Sequence, residues 1–397
     1  MNDKTLINWG SYDVDNFGDL LFPFIIEHYL GNRYSKIIHV SPTGKRSIWP
    51  DTIPTCTISE ALKDNNIGGL IVGGGNLISW TTSSSINYIE DYEFSRIVHP
   101  SFFYVPYILR VKYNIPFAYN YIGVAKPIPI EKQNIVKIAI ESASFISCRD
   151  QAGADHLIRS GVTLPISVGL DSAIDISHVF SKEYLINYYY NNVQKKYNIP
   201  KNKVLATIHV KKRYLKNQFN ELFLILSFLI KNSIHPVLVP LGMCHEDDLV
   251  LCDQNFQGNT ATVIRKPDML IDILSIISLS EYYIGSSLHG AITSLSYHNK
   301  IVIVADEVGS RLSKFSGFLT QINLSECLYS SWSDVYMNLE THGVSILKTI
   351  SSSKVIELNN KNTWNDIYNS LHDVNKNNIN ILQNDTLEKY ISFRLCI

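Results

Sequence analysis

The segment Ile-Gly-Ser-Ser-Leu-His-Gly at residues 284–290 sets one histidine, His289, where a short apolar strand runs into an apolar helix. A helix N-terminus offers free backbone N–H groups and the positive end of the helix dipole, and both favour an anionic ligand. Histidine exchanges a proton near neutral pH. We therefore predict that His289 is catalytic and that Ser286, Ser287, Leu288 and Gly290 bind the same ligand. A buried structural histidine is the alternative.

Two further motifs directly follow apolar strands near the start of the chain. Gly73-Gly74-Gly75-Asn76 lets the backbone approach a ligand closely, although it matches neither a dinucleotide-binding nor a P-loop pattern. In Asn16-Phe17-Gly18-Asp19, Gly18 suits a tight turn and Asp19 suits a helix N-cap. We predict that Asn16, Asp19 and the glycine run line a cleft, while capping alone would also explain Asp19.

Charged residues near other strand ends extend this candidate site. Arg149 follows an apolar run and can hold a carboxylate or phosphate through two parallel hydrogen bonds, or else pair with a surface carboxylate. Asp171 is predicted at the rim of the same crevice. The other basic residues predicted to bind an anion are Lys211, Arg213, Arg311 and Lys314.

We predict no metal and no organic cofactor. The run His245-Glu246-Asp247-Asp248 has metal-ligating side chains, but a solvated acidic helix start explains it better. An aromatic tract from Trp80 to Tyr107 suits either stacking on sugar rings or a place in the core, and the core is favoured.

Composition narrows the class of protein. The chain has 397 residues and a net charge of −1, which favours two domains and gives no basic field for nucleic acid or an anionic membrane. Six scattered cysteines suggest reduced thiols rather than a disulfide framework. Since neither a signal core nor an apolar run of bilayer length is found, we expect a soluble cytoplasmic protein.

Short apolar runs alternate with amphipathic stretches, which is typical of βαβ units and parallel sheets. We predict an α/β protein with two Rossmann-like, doubly wound domains facing a cleft. The N-terminal domain, residues 1–190, would contain the glycine run; the C-terminal domain, residues 204–340, would contain the His289 turn. A polar connection at 190–203 would join them, and residues 341–397 would form a helical extension packing back on the body.

Five motifs in this order resemble the polysaccharide pyruvyl transferase family over roughly residues 8–325: Asn-Phe-Gly-Asp, Gly-Gly-Gly-Asn, Ser-Cys-Arg-Asp, Asp-Ser-Ala and Ser-Leu-His-Gly. The resemblance implies a fold similar to GT-B glycosyltransferases. It also implies phosphoenolpyruvate as the donor and a pyruvate ketal placed on two hydroxyls of a sugar or lipid-linked saccharide. Bacterial capsule, exopolysaccharide or cell-wall synthesis at the inner face of the membrane is the implied setting, with possible peripheral contact with membrane-bound polymer machinery.

Within the resemblance, Arg149 matches an arginine that holds the donor's anionic groups, and His289 matches the histidine beside the reacting centre. The sequence departs from the family at Ser287, where an arginine usually precedes the Leu-His pair. Either Arg311, Lys314 or the Lys211–Arg213 cluster compensates for the lost charge, or the donor differs, or activity is lost. The alternatives are a GT-B-type glycosyltransferase with a nucleotide-sugar donor and a non-catalytic partner in a polymer-synthesis complex.

Overall fold

The computed structural model describes residues 2–79, 92–124, 126–215, 217–252, 261–306, 313–350 and 353–373. These residues form two six-stranded sheets in which every paired strand is parallel to its neighbour. The first sheet has the order β2-β1-β3-β4-β5-β6 and the second the order β12-β11-β10-β7-β8-β9. The strands are β1 Asn2–Trp9, β2 Tyr34–Val40, β3 Ile67–Gly73, β4 Phe117–Ile122, β5 Phe145–Cys148, β6 Ser167–Val168, β7 Val204–His209, β8 Ile234–Leu238, β9 Thr262–Val263, β10 Tyr282–Gly285, β11 Lys300–Val304 and β12 Leu328–Tyr329.

Helices connect the strands and cover the faces of both sheets. In chain order they are α1 Phe22–Leu30, α2 Ile58–Ala61, α3 Tyr92–Tyr113, α4 Ile130–Glu141, α5 Gln151–Arg159, α6 Ile176–Val179, α7 Lys182–Tyr188, α8 Gln194–Lys196, α9 Lys212–Leu215, α10 Phe219–Lys231, α11 Asp247–Leu251, α12 Leu270–Leu279, α13 Leu288–Ser296, α14 Ser313–Gln321, α15 Trp332–His342 and α16 Ser353–His372. Among the described residues, no helix combines the length and the apolar character that crossing a bilayer requires.

The central strands are apolar along their length because helices bury both of their faces. In β10 all four residues are buried, and in β4 all six are. Such strands are too short and too uniformly apolar to stand at a surface. Their carboxyl ends are therefore the places where polar side chains can collect.

Each sheet has a point where the strand order reverses, between β1 and β3 in the first and between β7 and β10 in the second. In open α/β sheets, ligands bind outside the carboxyl ends of the strands at this reversal. The motifs Asn16–Asp19 and Gly73–Asn76 follow β1 and β3, while Lys211–Arg213 and Ser286–His289 follow β7 and β10. The topology thus brings four of the sequence motifs to two equivalent positions.

The predicted α/β fold with two doubly wound parallel sheets is confirmed. The apolar runs Phe145–Cys148 and Val204–His209 predict strands whose bounds match β5 and β7 residue for residue, whereas no such pattern predicts the two-residue strand β12 or the long helix α3. The segment predicted as a polar connection is helical through Lys196, since a π-helical turn at Tyr189–Val193 joins α7 to α8.

The first sheet ends at Val168 and the second begins at Val204, so the predicted connection falls between the sheets; the division into domains stays a prediction. Within the predicted C-terminal extension, α16 packs on the first sheet. There the Tyr121 hydroxyl donates a hydrogen bond of 2.7 Å to Thr363 Oγ1, and Trp364 Nε1 donates one of 3.3 Å to Asp175.

Candidate active site between the two sheets

A cavity of about 230 Å³ lies between the two halves, at the carboxyl ends of both sheets. It brings together ten of the predicted residues: Asn16, Asp19, Asn76, Arg149, Lys211, Arg213, Ser287, Leu288, His289 and Lys314. Asp171, Ser286, Gly290 and the run Gly73–Gly75 lie behind this lining rather than in it. Arg311 lies outside the described residues.

His289 occupies the first turn of α13 and is 13% exposed. The apolar pattern predicts a helix over Ala291–Tyr297, but the helix begins at Leu288, so the histidine is part of the helix and not of the turn before it. Its Nε2 is 3.6 Å from Asp171 Oδ2, and its ring meets the edge of Phe22 with centroids 5.6 Å apart. The second sheet thus contributes the histidine and the first sheet contributes its surroundings.

Asp171 is a fully buried carboxylate shared by the two candidate catalytic residues. Its Oδ2 accepts a hydrogen bond of 3.0 Å from Arg149 Nη1, and its Oδ1 accepts one of 3.0 Å from the backbone N–H of Ala173. Burial alone would raise the pKa of Asp171, but His289, Arg149 and that N–H outweigh it and lower the pKa to about 2. Asp171 is therefore ionised at neutral pH.

Arg149 follows β5 and is 4% exposed. The alternative of a surface ion pair does not hold for Arg149, because its partner Asp171 is buried. Its Nε has no hydrogen-bond partner and lies beside Gly123, where a Cβ would be 2.8 Å away. Asn76 Oδ1 approaches the same glycine, so the glycine lets the arginine and the asparagine meet at one corner of the cavity. Arg149 is thus held between two carboxylates, with Asp150 Oδ2 3.7 Å from its Nε and Asp171 Oδ2 3.0 Å from its Nη1.

Gly18 is needed for close packing and not for a turn. Its backbone is right-handed, with φ −66° and ψ −44°, which any residue adopts. A Cβ at this position would overlap the imidazole ring of His289. Asn16 Oδ1 accepts a hydrogen bond of 3.1 Å from the Gly18 N–H and so holds the backbone in place. The motif after β1 therefore forms one wall against the histidine.

Asp19 begins a short 3₁₀ turn at Asp19–Leu21 but makes no side-chain capping hydrogen bond, so the capping prediction is wrong. Its Oδ1 lies against Gly75, where a Cβ would be only 2.9 Å away. Burial raises the pKa of Asp19, and the nearby His289, Arg149 and Lys314 oppose that shift. Asp19 is therefore an ionisable group of the cavity.

The glycine run forms the floor beneath Asp19 and Phe22. Gly74 and Gly75 have φ values of +73° and +79°, in the left-handed region that favours glycine. A Cβ on Gly74 would overlap the Phe22 ring. The run thus shapes the turn and allows the first helix to approach, while Asn76 is the member that reaches the cavity.

Ser287 is the N-cap of α13, since its Oγ accepts a hydrogen bond of 3.3 Å from the Gly290 N–H. The Tyr283 hydroxyl donates to the Ser287 carbonyl at 3.1 Å and fixes the start of the helix. Ser287 therefore acts here through its short side chain and not through charge.

Lys211, Arg213 and Lys314 bring positive charge from the second half. Burial and the neighbouring cations Lys211, Arg149 and Arg213 lower the pKa of Lys314 well below its usual range. Burial also lowers the pKa of Lys211, and the Asp247 carboxylate opposes that shift. Cationic side chains that lower one another's pKa in this way are favourable partners for an anion.

Two cavity-lining histidines, His99 on α3 and His245 before α11, were not predicted. Burial and the cations Lys211, Arg213 and Lys314 lower the pKa of His245 to about 4, although Asp247 opposes the shift, so His245 is neutral at physiological pH. His99 stands in the aromatic tract, whose members Phe102, Phe103 and Tyr107 are core residues, as favoured, with Phe102 also touching the cavity. Trp80 and the following residues to 91 lie outside the described residues.

Within the described part of the chain, no group of three or more His, Cys, Asp or Glu side chains is arranged to hold a metal ion. His245 instead lines the wall of the cavity that carries Lys211, Arg213 and Lys314. Asp247 lies behind that wall. The side chains present at the cavity are thus suited to proton exchange and to anion binding.

The fold is similar to that of two solved structures. One is UDP-GlcNAc 2-epimerase from Neisseria meningitidis bound to UDP-GlcNAc, with a TM-score of 0.55 and 11% identity, covering 93% of this chain and 99% of that chain. The other is the Methanocaldococcus jannaschii UDP-GlcNAc 2-epimerase in complex with UDP-GlcNAc and UDP, with a TM-score of 0.51 and 12% identity, covering 88% and 96%. These similarities confirm the GT-B-like architecture. A search of curated proteins gives no significant match.

The sequence itself matches a family model over residues 16–305, more than half of the chain, and the family is described as polysaccharide pyruvyl transferase. The matched span includes the motifs after β1, β3, β5 and β10 that meet around the cavity. The chain belongs to the polysaccharide pyruvyl transferase family.

Proposed function

We propose that this transferase moves pyruvate from phosphoenolpyruvate to two hydroxyls of a sugar, as a ketal, during synthesis of a bacterial surface polysaccharide or its precursor. The observation that carries the proposal is one cavity in which His289 lies among Arg149, Lys211, Arg213 and Lys314. Phosphoenolpyruvate is a small trianion, and such a ligand needs several cations and a proton donor at close range.

The donor's carboxylate and phosphate would bind to the cations of the second half. Lys211 and Arg213 follow β7, and Lys314 lies in the first turn of α14. The N-terminus of α13 adds free backbone N–H groups and a positive dipole end at Ser287 and Leu288. Since the Ser287 hydroxyl is engaged in capping, these cations supply the charge that an arginine at that position would give.

His289 would act as the general acid and base. Proton transfer from His289 to the methylene carbon of phosphoenolpyruvate leaves an oxocarbenium-like centre, which one sugar hydroxyl attacks while its proton returns to His289. The bond from this carbon to the phosphate oxygen then breaks, and the second hydroxyl closes the ketal as the departing phosphate takes up its proton. Asp171 stabilises the protonated ring, and the cations stabilise the departing phosphate.

The acceptor would enter from the side of the first half, where Asn16, Asp19 and Asn76 offer hydrogen-bond partners for hydroxyl groups. Phosphoenolpyruvate itself supplies the enol carbon that is attacked and the phosphate that departs. The proposed reaction therefore requires neither a metal nor an organic cofactor. We propose a cytoplasmic location, with the acceptor either free or lipid-linked at the inner face of the membrane.

The proposal is tested by calorimetric titration with phosphoenolpyruvate and, in parallel, with a panel of nucleotide sugars. Saturable binding of phosphoenolpyruvate, followed by acceptor-dependent release of phosphate, supports it. Binding of a nucleotide sugar without phosphoenolpyruvate would instead favour a GT-B-type glycosyltransferase. Binding of neither would favour a non-catalytic assembly partner.

A further inference from the structure

A buried hydrogen bond between a histidine and an aspartate lies behind the cation-bearing wall of the cavity. His209 is the last residue of β7, and its Nε2 is 2.8 Å from Asp247 Oδ2 at the start of α11. The exposed fractions of the two side chains are 0% and 1%, and neither residue lines the cavity. The pair therefore has no direct route to a substrate.

The same carboxylate holds the turn that follows β8. Asp247 Oδ2 accepts a hydrogen bond of 2.7 Å from the backbone N–H of Gly242. A Cβ on residue 242 would lie 3.0 Å from that oxygen, so the absence of a side chain permits the close approach. One oxygen thus joins the end of β7 to the turn after β8.

That turn is where the second half meets the first. The Phe17 N–H donates to the Leu241 carbonyl at 2.8 Å, and the Cys244 N–H donates to the Asp15 carbonyl at 3.2 Å. Asn16 and Gly242 form an antiparallel bridge between these bonds. The next residue after Phe17 is Gly18, which packs on His289.

We propose that His209 and Asp247 are positioning residues, which set the register between the Asn16–Asp19 motif and His289 through the turn after β8. Replacing both partners of a buried hydrogen bond by apolar groups of the same shape can be nearly neutral for stability. Such a bond does fix one arrangement of the backbone groups that its members hold. The inference rests on the proposed function for its kinetic readout only, because the packing of His289 can be observed without turnover.

The test compares Asp247→Ala with Asp272→Ala in the full chain. Asp272 is also a buried carboxylate of the second half, bonded to Tyr188, Lys196 and Tyr197 and absent from the cavity lining. A misplacement of about 1 Å at a reacting centre costs on the order of 10²-fold in rate. We expect Asp247→Ala to lower kcat by that order, and Asp272→Ala to lower Tm while leaving kcat unchanged.

Asp247→Asn is the conservative rescue, because one amide oxygen can accept both hydrogen bonds, and we expect it to recover most of the lost rate. The NMR signals of the labelled His289 ring should shift in Asp247→Ala and stay in place in Asp272→Ala. If Asp247→Ala does not fold, Gly242→Ala replaces it, since its methyl group must displace the carboxylate.

An unmoved His289 signal in a folded Asp247→Ala or Gly242→Ala protein would overturn the positioning role, as would unchanged kcat. If the wild-type protein catalyses no transfer, the proposed function fails, but a shifted His289 signal still supports the positioning role. The two ideas can therefore fail separately.

Discussion

The two sheets present different chemistry at equivalent places. At the reversal between β1 and β3, the first half carries Asn16, Asp19 and Asn76 on glycine-rich turns; its cation, Arg149, is paired with Asp171. At the reversal between β7 and β10, the second half carries lysine and arginine side chains and the N-terminus of α13. One topology thus yields a wall whose charges largely cancel and a wall with excess positive charge.

This difference separates two kinds of mutational effect. Changes in the second half should alter anion binding, whereas changes in the first half should alter the packing and protonation of His289. His289 belongs to the second half by sequence but contacts Phe22 and Gly18 of the first, so it should be sensitive to both.

The largest effect is expected for His289→Asn, which keeps a polar side chain but removes the proton-exchanging group. General acid–base catalysis contributes roughly 10²- to 10⁴-fold, and the transfer rate should fall within that range. Steady-state phosphate release measures the loss. His342→Asn, an exposed histidine at the end of α15, is the matched control and should leave the rate unchanged.

The next effect is expected for Gly18→Ala, since the new methyl group would overlap the His289 ring. Displacement of the ring or of the turn should lower kcat on the order of 10²-fold. Gly69→Ala in β3 is the control, because the atoms nearest to its methyl group would belong to the Leu371 side chain, with Cδ1 at 3.3 Å. Equal kcat in the two variants would show that the tight contact with His289 is unimportant for the reaction.

Lys314→Ala should weaken binding of phosphoenolpyruvate about 10-fold or more, since a charge-assisted hydrogen bond contributes about 1.5–3 kcal/mol.

Burial and neighbouring cations lower the pKa of Lys314 and that of Lys211, and a bound anion favours the charged forms. Binding should therefore take up protons, with affinity greatest at low pH and falling as pH rises through the lowered pKa. Titrations in buffers of different ionisation enthalpy measure the uptake. Lys300→Ala, whose side chain pairs with Glu281 at 2.9 Å outside the cavity, should leave affinity unchanged.

The smallest effect is expected for Asp51→Ala, which removes hydrogen bonds between the two halves. Asp51 accepts hydrogen bonds of 2.8 Å from the Leu270 and Ile271 N–H groups, so a side chain of the first half caps α12 of the second. Loss of a cap costs about 1 kcal/mol, which should lower Tm by a few degrees. Ser331→Ala removes the cap of α15 within the second half and should lower Tm similarly. Only Asp51→Ala should also raise KM for phosphoenolpyruvate. Equal KM values in the two variants would contradict a role of Asp51 in coupling the two halves.

Local patterns were sufficient to predict the sheets and the motif positions. The strand β7 is an apolar run between polar residues, and strands of this kind have their carboxyl ends at one edge of a parallel sheet. For this reason His289, Arg149 and Lys211 were assigned to one cleft from the sequence, and they do line one cavity.

What could not be predicted depends on contacts between distant parts of the chain. The overlap that a side chain at Gly18 would have with His289 involves the other half of the molecule, and so does the capping of α12 by Asp51. His245 was interpreted as part of a solvated acidic helix start, with a metal site as the alternative, because its neighbours in sequence are acidic, whereas its neighbours in space include Lys211 and Lys314. His99 lies within an apolar, aromatic stretch in which no local signal separates a cavity position from a core position.

A competition titration of phosphoenolpyruvate against UDP-GlcNAc, made on the wild-type protein and on Lys314→Ala, would identify the donor. We expect saturable binding of phosphoenolpyruvate that UDP-GlcNAc does not displace, and an affinity about 10-fold or more lower in the variant. Tight binding of UDP-GlcNAc with no binding of phosphoenolpyruvate would contradict the proposed donor.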